Sequence, residues 1–301
     1  MNLVLFAYRN CGYDCLDYLI SINKKPILVV IPKSEDKKEK IFKSVKKLAL
    51  NFNVNFFEYN NNKLELTRIL KIINPDYGFS CYYPYIIPEN ILNIFNKNTF
   101  NIHGGILPNY KGTLSSVWSI INGENITGST IHKMIKDVDC GDIIEISKCK
   151  IDEFDTGKSL YNKVSILSSQ LFIKYINILL KKSSITSKKQ KLNLGKYYKR
   201  EIPNNGRINW NLKSKEIFNF CRALYFPPYK SSVTYLNNIE FEIDFIQISS
   251  TKSINRPGKI VNVNDEFIEI STIDFNVTIN KDSIDIKKIK LFFKEKKSKF
   301  L

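Results

Sequence analysis

The first half of the chain alternates short apolar runs with amphipathic stretches, and this alternation limits the fold more than any other feature. Uninterrupted apolar runs predict buried strands at 3–7 and 27–31, and further strand segments continue the pattern at 54–57, 77–81 and 100–102. Apolar residues at helical spacing predict helices between them, at 12–22, 36–51 and 64–73. Such repetition is typical of an α/β fold, a mostly parallel sheet with helices on both faces.

The last part of the chain has a different pattern. A long helix is predicted at 155–182, and a polar connector follows it. After a further helix at 214–224, alternating residues predict short strands, at 232–236, 239–246, 259–263, 267–271 and 275–279. We therefore predict two domains, 1–182 and 207–301, joined by a connector at 183–206, with the second domain a helix plus a small β-barrel.

Composition narrows the class of protein. A chain of 301 residues that is 43% hydrophobic has enough apolar residues for a core. We find no uninterrupted apolar run of about 18 residues and no signal-peptide pattern, so we expect a cytoplasmic protein that does not engage a membrane. Among six cysteines, Cys11 and Cys15 are close in sequence but lack a second pair or a suitable histidine. Reduced thiols and no metal are expected.

The net charge of +17 raises the question of a nucleic-acid partner. The lysines lie in short runs along the whole chain, which indicates a solvated basic surface more than a dedicated groove. A nucleic-acid partner is therefore disfavoured. Such a surface would still suit a phosphorylated small molecule.

The only two histidines, His103 and His132, fall in one dense block of polar motifs. In an extended strand, Asn101 and His103 point to the same face. Asp139, later in the block, could hold the imidazole of His103. An amide donor, an imidazole and a carboxylate suit acyl transfer without a protein nucleophile. We interpret His132, which lies in an apolar strand pattern, as a structural histidine.

Several motifs in order carry a resemblance to a known family. They are Asn101-Ile-His-Gly-Gly-Ile-Leu-Pro-Asn-Tyr-Lys-Gly, Trp118-Ser-Ile-Ile-Asn-Gly-Glu124, Thr127-Gly-Ser-Thr-Ile-His-Lys-Met134 and Asp139-Cys-Gly-Asp142. Together they resemble the folate-dependent formyltransferases. Val4-Leu-Phe-Ala-Tyr8 and Phe79-Ser-Cys-Tyr-Tyr83 are similar to the sugar-nucleotide branch, and Gly206-Arg-Ile-Asn-Trp210 is similar to the C-terminal domain of the family.

The resemblance implies a Rossmann-like domain, a small OB-like C-terminal barrel, and formyl transfer from 10-formyltetrahydrofolate to a primary amine. By motif position, Asn101, His103 and Asp139 would be catalytic. His103 would move the proton, Asn101 would donate to the developing oxyanion, and Asp139 would orient the imidazole and favour its charged form. The folate site would comprise Tyr85, Ile86, Ile87, Ile135, Lys136, Asp137 and Val138.

The acceptor amine is less constrained. We expect a nucleotide-linked amino sugar for a surface polysaccharide such as the lipopolysaccharide O-antigen, because 31–54 lacks the basic insertion usual in the tRNA-directed branch. Two other acceptors, methionyl-tRNA and a small phosphorylated amine, stay as alternatives. A non-catalytic binding protein on the same fold is a further alternative.

Thr113 stands where relatives commonly carry arginine, so Arg9 and Lys111 are candidate phosphate contacts, with Arg222 a further candidate. An apolar edge on the C-terminal strands would permit a homodimer.

Overall fold

A computed structural model describes residues 1–33, 35, 41–96, 98–181, 184–191, 194–236 and 238–280. Within these residues the strands are β1 Leu3–Ala7, β2 Leu28–Pro32, β3 Phe56–Tyr59, β4 Tyr77–Cys81, β5 Thr99–His103, β6 Tyr110–Gly112, β7 Ile126–Lys133, β8 Ile143–Lys150, β9 Lys196–Tyr198, β10 Ser232–Leu236, β11 Ile239–Ile243, β12 Gln247–Lys252, β13 Ile260–Val263, β14 Phe267–Ile270 and β15 Phe275–Asn280. The α-helices are α1 Arg9–Ser21, α2 Val45–Asn51, α3 Lys63–Ile73, α4 Glu89–Leu92, α5 Ser115–Ile121, α6 Gly157–Leu180 and α7 Ser214–Leu224.

The central sheet is mostly parallel. Its strand order is β3-β2-β1-β4-β5-β7-β8. Strands β1 to β5 pair in parallel, whereas β7 runs antiparallel to both β5 and β8. The chain reverses its direction across the sheet between β1 and β4, and open α/β sheets bind ligands beyond the carboxyl ends of the strands at such a point. The residues that follow β1 and β4 therefore lie at the edge where a ligand is expected.

Strand β1 shows why helices cover both faces of the sheet. Leu3 and Leu5 belong to a core that includes residues of α1, α2 and α6. Val4 and Phe6, which point the other way, belong to a second core with residues of α3. A strand that is buried on both faces needs apolar residues at every position, which is why β1 shows no alternation. The predicted α/β sheet with helices on both faces is confirmed.

The C-terminal part of the chain forms a second compact unit, which also includes residues 116–125 and 151–160. Strands β10 and β11 form an antiparallel pair, and β12-β15-β14-β13 form a four-stranded antiparallel sheet. Helix α7 and both sheets contribute to one core, in which Ile217, Leu236 and Ile268 are buried. The expected small C-terminal β domain with one helix is confirmed.

The first compact unit comprises Met1–Ser115, Ile126–Lys150 and Tyr161–Tyr198. It therefore includes part of the predicted connector. Lys188 forms an isolated bridge with Ile143, and β9 pairs in parallel with β6. The domain boundaries at 182 and 206 stay a prediction.

Helix α2 is shorter than the helix predicted at 36–51. It begins at Val45, and residues 36–40 lie outside the described residues. Ser44 Oγ accepts a hydrogen bond from the Lys47 N–H at 3.2 Å, and the Glu35 carboxylate accepts one from the Lys46 N–H at 2.8 Å. This N-cap fixes the start of the helix. The capping role of Glu35 was not visible from its place in the sequence.

Strand β12 has no counterpart among the predicted strands. Its sequence, Gln-Ile-Ser-Ser-Thr-Lys, is largely polar, and most of its residues are exposed. Backbone pairing with β15 holds this strand in the sheet, and burial of an apolar face does not. A strand of this kind leaves no hydrophobic period in the sequence.

Among the described residues, helix α6 is long and apolar enough to cross a membrane by length and composition. In the structure, 44% of its most apolar stretch is buried within the protein. Leu160, Val164 and Phe172 of this helix are fully or almost fully buried. The core helix of a soluble protein has the same length and composition.

Candidate active site

Strands β5 and β7 bring the two histidines together. The two strands pair in register, with Asn101 opposite His132 and His103 opposite Thr130. The side chains of Asn101 and His103 both contact the carboxylate of Asp139. They therefore share one face of β5, as the strand geometry predicts. The motif block therefore folds into one cluster of polar side chains.

Asp139 is the centre of this cluster. Its Oδ1 accepts a hydrogen bond from Asn101 Nδ2 at 3.2 Å and lies 3.3 Å from His132 Nε2. Its Oδ2 accepts the Gly112 N–H at 2.8 Å and lies 3.5 Å from His103 Nδ1. The residue adopts a left-handed backbone conformation with φ of 54°, which aspartate tolerates better than most residues. One carboxylate thus contacts the Asn101 amide, both imidazole rings and the Gly112 N–H.

The surroundings keep Asp139 ionised. Burial by itself would raise its pKa, but the positive charge available on His103, the hydrogen bond and charge of His132, and the Gly112 N–H together hold the pKa well below the usual value of 3.8. A carboxylate of this kind keeps its charge at every pH at which the protein is expected to work.

This depressed pKa predicts a pH-dependent stability. A carboxyl group whose pKa is lower in the folded state stabilises the fold above its unfolded pKa, and that contribution is lost as the pH falls. We expect the unfolding free energy of the protein to fall relative to that of Asp139→Asn between about pH 5 and pH 2. Urea titrations of both proteins over this range measure the difference. A difference that stays constant over this range contradicts the assignment.

The His103 ring lies between two acceptors. Its Nε2 is 2.6 Å from the Tyr110 carbonyl oxygen, and its Nδ1 faces Asp139. Because a carbonyl oxygen only accepts, Nε2 carries a proton in this arrangement. His103 is thus oriented at both nitrogens and is 6% exposed, which suits a residue that moves a proton.

His132 has polar partners at both ring nitrogens. Its Nδ1 lies 2.8 Å from the carbonyl oxygen of Lys133, so Nδ1 carries a proton and donates it. Its Nε2 lies 3.1 Å from Asn101 Nδ2 and 3.3 Å from Asp139 Oδ1, so it accepts from the amide in the neutral ring and donates to the carboxylate in the charged ring. His132 therefore holds the amide that we expect to be catalytic. The sequence indicated only a structural histidine, since a contact across two strands leaves no local signal.

Sequence profiles identify the family of this fold and site. The profile described as "Formyl transferase" matches residues 10–176, and the profile described as "Formyl transferase, C-terminal domain" matches residues 202–292. The chain belongs to the formyl transferase family. The resemblance that the motifs carry is thereby confirmed.

Individual relatives agree with this membership. The chain is 36% identical to the bifunctional polymyxin resistance protein ArnA of Wigglesworthia glossinidia brevipalpis over 88% of its own length, and it spans 40% of that longer protein. It is 32% identical to the methionyl-tRNA formyltransferase of Malacoplasma penetrans over 83% of this chain and 77% of the relative. The crystal structure of WlaRD, a sugar 3N-formyl transferase in the presence of dTDP and 5-N-formyl-THF, superposes with a TM-score of 0.75 at 25% identity, over 93% of this chain and 97% of that one.

A buried chain of hydroxyl groups supports strand β5 of this formyl transferase. Ser129 Oγ donates to the His103 carbonyl oxygen at 3.0 Å, and Ser168 Oγ of α6 donates to Ser129 Oγ at 2.7 Å. The Tyr82 hydroxyl lies 3.0 Å from Ser168 Oγ. These groups fix the end of β5. The sequence offers no specific signal for them, because Ser168 is one of three buried serines on α6, with Ser165 and Ser169.

The segment 184–198 also contacts the site. Gln190 Nε2 donates to the carbonyl oxygens of Asp139 and Gly141, at 3.0 and 2.6 Å. Strand β9 pairs with β6, and Tyr198 stacks on Tyr110 with the ring centroids 5.5 Å apart. A polar stretch that looks like a connector in the sequence therefore braces the loop that carries Asp139.

Gly112 has no room for a side chain. Its φ is +89°, and a Cβ there would lie 2.2 Å from the Tyr198 carbonyl oxygen. We expect Gly112→Ala to lower the unfolding free energy by about 2 kcal/mol or more, because the strained alanine must also displace β9. The matched control is Gly123→Ala, with φ of +71° and its nearest neighbour atom at 3.7 Å. Equal losses in the two variants, measured by urea denaturation, would show that the contact with β9 is unimportant.

The predicted folate residues lie in two segments, after β4 and between β7 and β8. Tyr85 is half-buried and packs against Tyr59 and Tyr83, with ring centroids 5.3 and 5.6 Å apart. Ile86 and Ile135 are 66% and 45% exposed, which leaves apolar surface for a ligand. The other predicted folate residues are half-buried or exposed: Ile87, Lys136, Asp137 and Val138. Their folate role stays a prediction.

Arg9 lies at the edge of the sheet where a ligand is expected. It is the first residue of α1, immediately after Tyr8 at the end of β1. Its guanidinium carbon lies 4.5 Å from the centroid of the Phe42 ring and 5.9 Å from that of Tyr161. The Nε atom is buried without a hydrogen-bond partner. A cation held by aromatic rings in this position has donors available for an anion.

The other two predicted cations are occupied by contacts within the protein. Lys111 is 6% exposed, and its Nζ donates to the Leu194 carbonyl oxygen at 3.3 Å. Arg222, also 6% exposed, donates through Nη1 to the Asp152 and Asp155 carbonyl oxygens, at 3.1 and 2.8 Å. These contacts give both residues a structural role. Their predicted roles in substrate binding stay predictions.

Proposed function

We propose that this formyl transferase moves a formyl group from 10-formyltetrahydrofolate to the primary amine of a nucleotide-linked amino sugar. The contact of Asn101, His103 and His132 with the one carboxylate of Asp139 is the observation that carries the proposal. Formyl transfer needs an oxyanion donor and a proton carrier, and these residues supply both. The likeness to WlaRD, whose crystals contained dTDP and 5-N-formyl-THF, and to ArnA supports the choice of substrates.

The reaction uses His103 as the proton carrier. The acceptor amine attacks the formyl carbon, and its nitrogen loses a proton to Nε2 of the neutral ring. When the tetrahedral intermediate collapses, the bond to the folate nitrogen breaks and that nitrogen receives the proton. Nδ1 keeps its own proton because it faces the Asp139 carboxylate. The products are a formamido sugar and tetrahydrofolate.

Asn101 stabilises the negative charge on the formyl oxygen. Its amide nitrogen has two N–H groups, and Asp139 Oδ1 and His132 Nε2 lie only 3.3 Å apart beside it. One N–H can bridge both acceptors, which leaves the other N–H for the oxyanion. Such a donor is worth roughly 3–4 kcal/mol of transition-state stabilisation in comparable sites.

Substrate binding must displace one contact of the site. Nε2 of His103 donates to the Tyr110 carbonyl oxygen in this structure, at 2.6 Å. The reacting amine takes the place of that carbonyl, so the segment after β5 shifts when both substrates are bound. Once that carbonyl is displaced, the neutral ring can carry its one proton on Nδ1, which faces Asp139, and Nε2 can accept the proton of the amine.

Arg9 is our candidate for the phosphate contact of the nucleotide. We expect Arg9→Ala to raise the KM for the amino sugar about tenfold or more with little change in kcat, because a charge-assisted hydrogen bond contributes about 1.5–3 kcal/mol. Arg68→Ala, on the exposed face of α3, is the matched control. Steady-state kinetics with the sugar varied at saturating folate measure both constants. An unchanged KM for Arg9→Ala would remove the residue from the site.

A panel of acceptors tests the proposal. It comprises UDP-, dTDP- and GDP-linked 3- and 4-amino sugars, with charged methionyl-tRNA beside them. Turnover of an amino sugar supports the proposal and names the substrate. Turnover of the tRNA alone would overturn it in favour of the second candidate, which the 32% identical methionyl-tRNA formyltransferase favours. No turnover, together with retained folate binding, would favour a binding protein.

Three further properties belong to the same proposal. We expect a cytoplasmic enzyme that uses neither a membrane nor a nucleic acid as a partner, and a homodimer is the assembly that the C-terminal strands would permit. Light scattering at several protein concentrations measures the assembly state. A monomer at every concentration would exclude the homodimer.

A further inference from the structure

Three cysteines that take no part in the proposed reaction meet in the core of the first unit. Cys11 and Cys15 lie one turn apart on α1, and Cys81 is the last residue of β4. Each is 0% exposed, and the three sulfur atoms all lie within 4.8 Å of one another. The sequence gives no sign that Cys81 joins the other two. The cluster exists only in the fold.

The backbone holds these sulfur atoms in place. Ala7 of β1 pairs with Cys81, and the Tyr8 N–H donates to the Cys81 carbonyl oxygen at 3.1 Å. Helix α1 starts directly on the end of β1, where a Cβ on Gly12 would lie 2.9 Å from the Ala7 carbonyl carbon. A ligand that binds the sulfur atoms therefore meets a preorganised set of donors and loses little entropy in ordering them.

We propose that Cys11, Cys15 and Cys81 bind one Cu(I) ion through their three sulfur atoms. Thiolate sulfur selects soft ions, chiefly Cu(I) and zinc. Structural zinc takes four ligands. Among the described residues, this cluster consists of three cysteines and includes no histidine or carboxylate. Three soft donors without a fourth match Cu(I) better than zinc.

The N-terminal end of helix α1 lies beside the negative charge that the bound thiolates would carry. Each thiol that binds the ion releases its proton, so Cu(I) replaces protons and leaves anionic sulfur in the core. Cys11 lies in the first turn of α1, which contains no acidic residue. The positive end of the helix dipole favours thiolate at this position and opposes the burial that raises the pKa of the Cys11 thiol.

Anaerobic titration of the reduced full-length protein with Cu(I), in competition with a chromogenic Cu(I) chelator, tests the site. We expect the wild type to retain one equivalent, with X-ray absorption showing three sulfur neighbours, and Cys81→Ser to bind about a hundredfold or more weakly. Cys221→Ser is the matched control, since Cys221 is 1% exposed and lies in the second unit. It should bind as the wild type does.

Several results would overturn the proposal. They are failure of the wild type to compete with the chelator, equal retention by Cys81→Ser, retention of zinc that excess Cu(I) does not displace, and loss of two titratable thiols to a disulfide in the untreated protein. If circular dichroism shows that Cys81→Ser is unfolded, Cys15→Ala replaces it with the same expected loss. Formyl transfer by the metal-free protein is a separate readout, so the two proposals can fail independently.

Discussion

We expect the replacement of His103 with glutamine to lower kcat for formyl transfer by about three orders of magnitude, with little change in folate binding. Glutamine keeps a polar side chain of similar reach, but it has no nitrogen that takes up and returns a proton at neutral pH. The amine must then lose its proton to water, and the folate nitrogen must leave without one. The loss is in the chemical step, because the predicted folate residues lie in other segments of the chain.

The matched comparison for this variant is His132→Gln. Glutamine at 132 can still accept the hydrogen bond from Asn101 that His132 Nε2 accepts at 3.1 Å in the structure. Because His132 positions an amide and transfers no proton, we expect its loss to be about tenfold. Steady-state kcat and KM, with folate affinity from calorimetry, separate the two variants. A loss of less than tenfold in His103→Gln would contradict the assignment of the proton carrier.

We expect the replacement of Asp139 with asparagine to lower kcat by about a thousandfold, for a different reason. The carboxylate faces Nδ1 of His103 and keeps a proton there, which leaves Nε2 as the atom that accepts the proton of the amine. An amide at 139 can turn an N–H toward Nδ1 and so favour the wrong tautomer. It also carries no charge to balance the imidazolium that forms during the reaction.

Asp17→Asn provides the control for this variant, because Asp17 is exposed on α1 and has no part in the site. The pH profile of kcat separates an electrostatic role from a structural one. If Asp139 stabilises the imidazolium, the profile of Asp139→Asn shifts as well as falling. A rate within tenfold of the wild type, with an unchanged profile, would mean that Asp139 is only structural.

Local patterns predicted the α/β part of the fold because its strands are buried on both faces. β1 and β4 occur where apolar runs predict them, at Leu3–Ala7 and Tyr77–Cys81. Elements that depend on polar groups were harder to predict. Helix α2 begins at its N-cap and not at the start of the helical pattern, and the polar strand β12 is held by pairing alone.

The residues of the site also divide into those that local patterns predicted and those that they did not. Asn101 and His103 could be placed on one face from the period of a strand. Asp139 could be named only as a candidate carboxylate, and its predicted catalytic role came from the motif resemblance, since no local rule joins a distant loop to a strand. The contacts of Gln190 with the Asp139 loop and of Ser168 with Ser129 escape the sequence because they join distant segments. The cysteine cluster escapes it for the same reason.

The most direct test of the account follows an isotopically labelled formyl group from 10-formyltetrahydrofolate to the acceptor. Carbon NMR of the wild-type reaction with dTDP- and UDP-linked amino sugars should show the label in a formamide on the sugar, and His103→Gln should show almost none in the same time. Two results would contradict formyl transfer to the sugar. The label could remain on folate, or it could be released as formate at equal rates with and without the sugar.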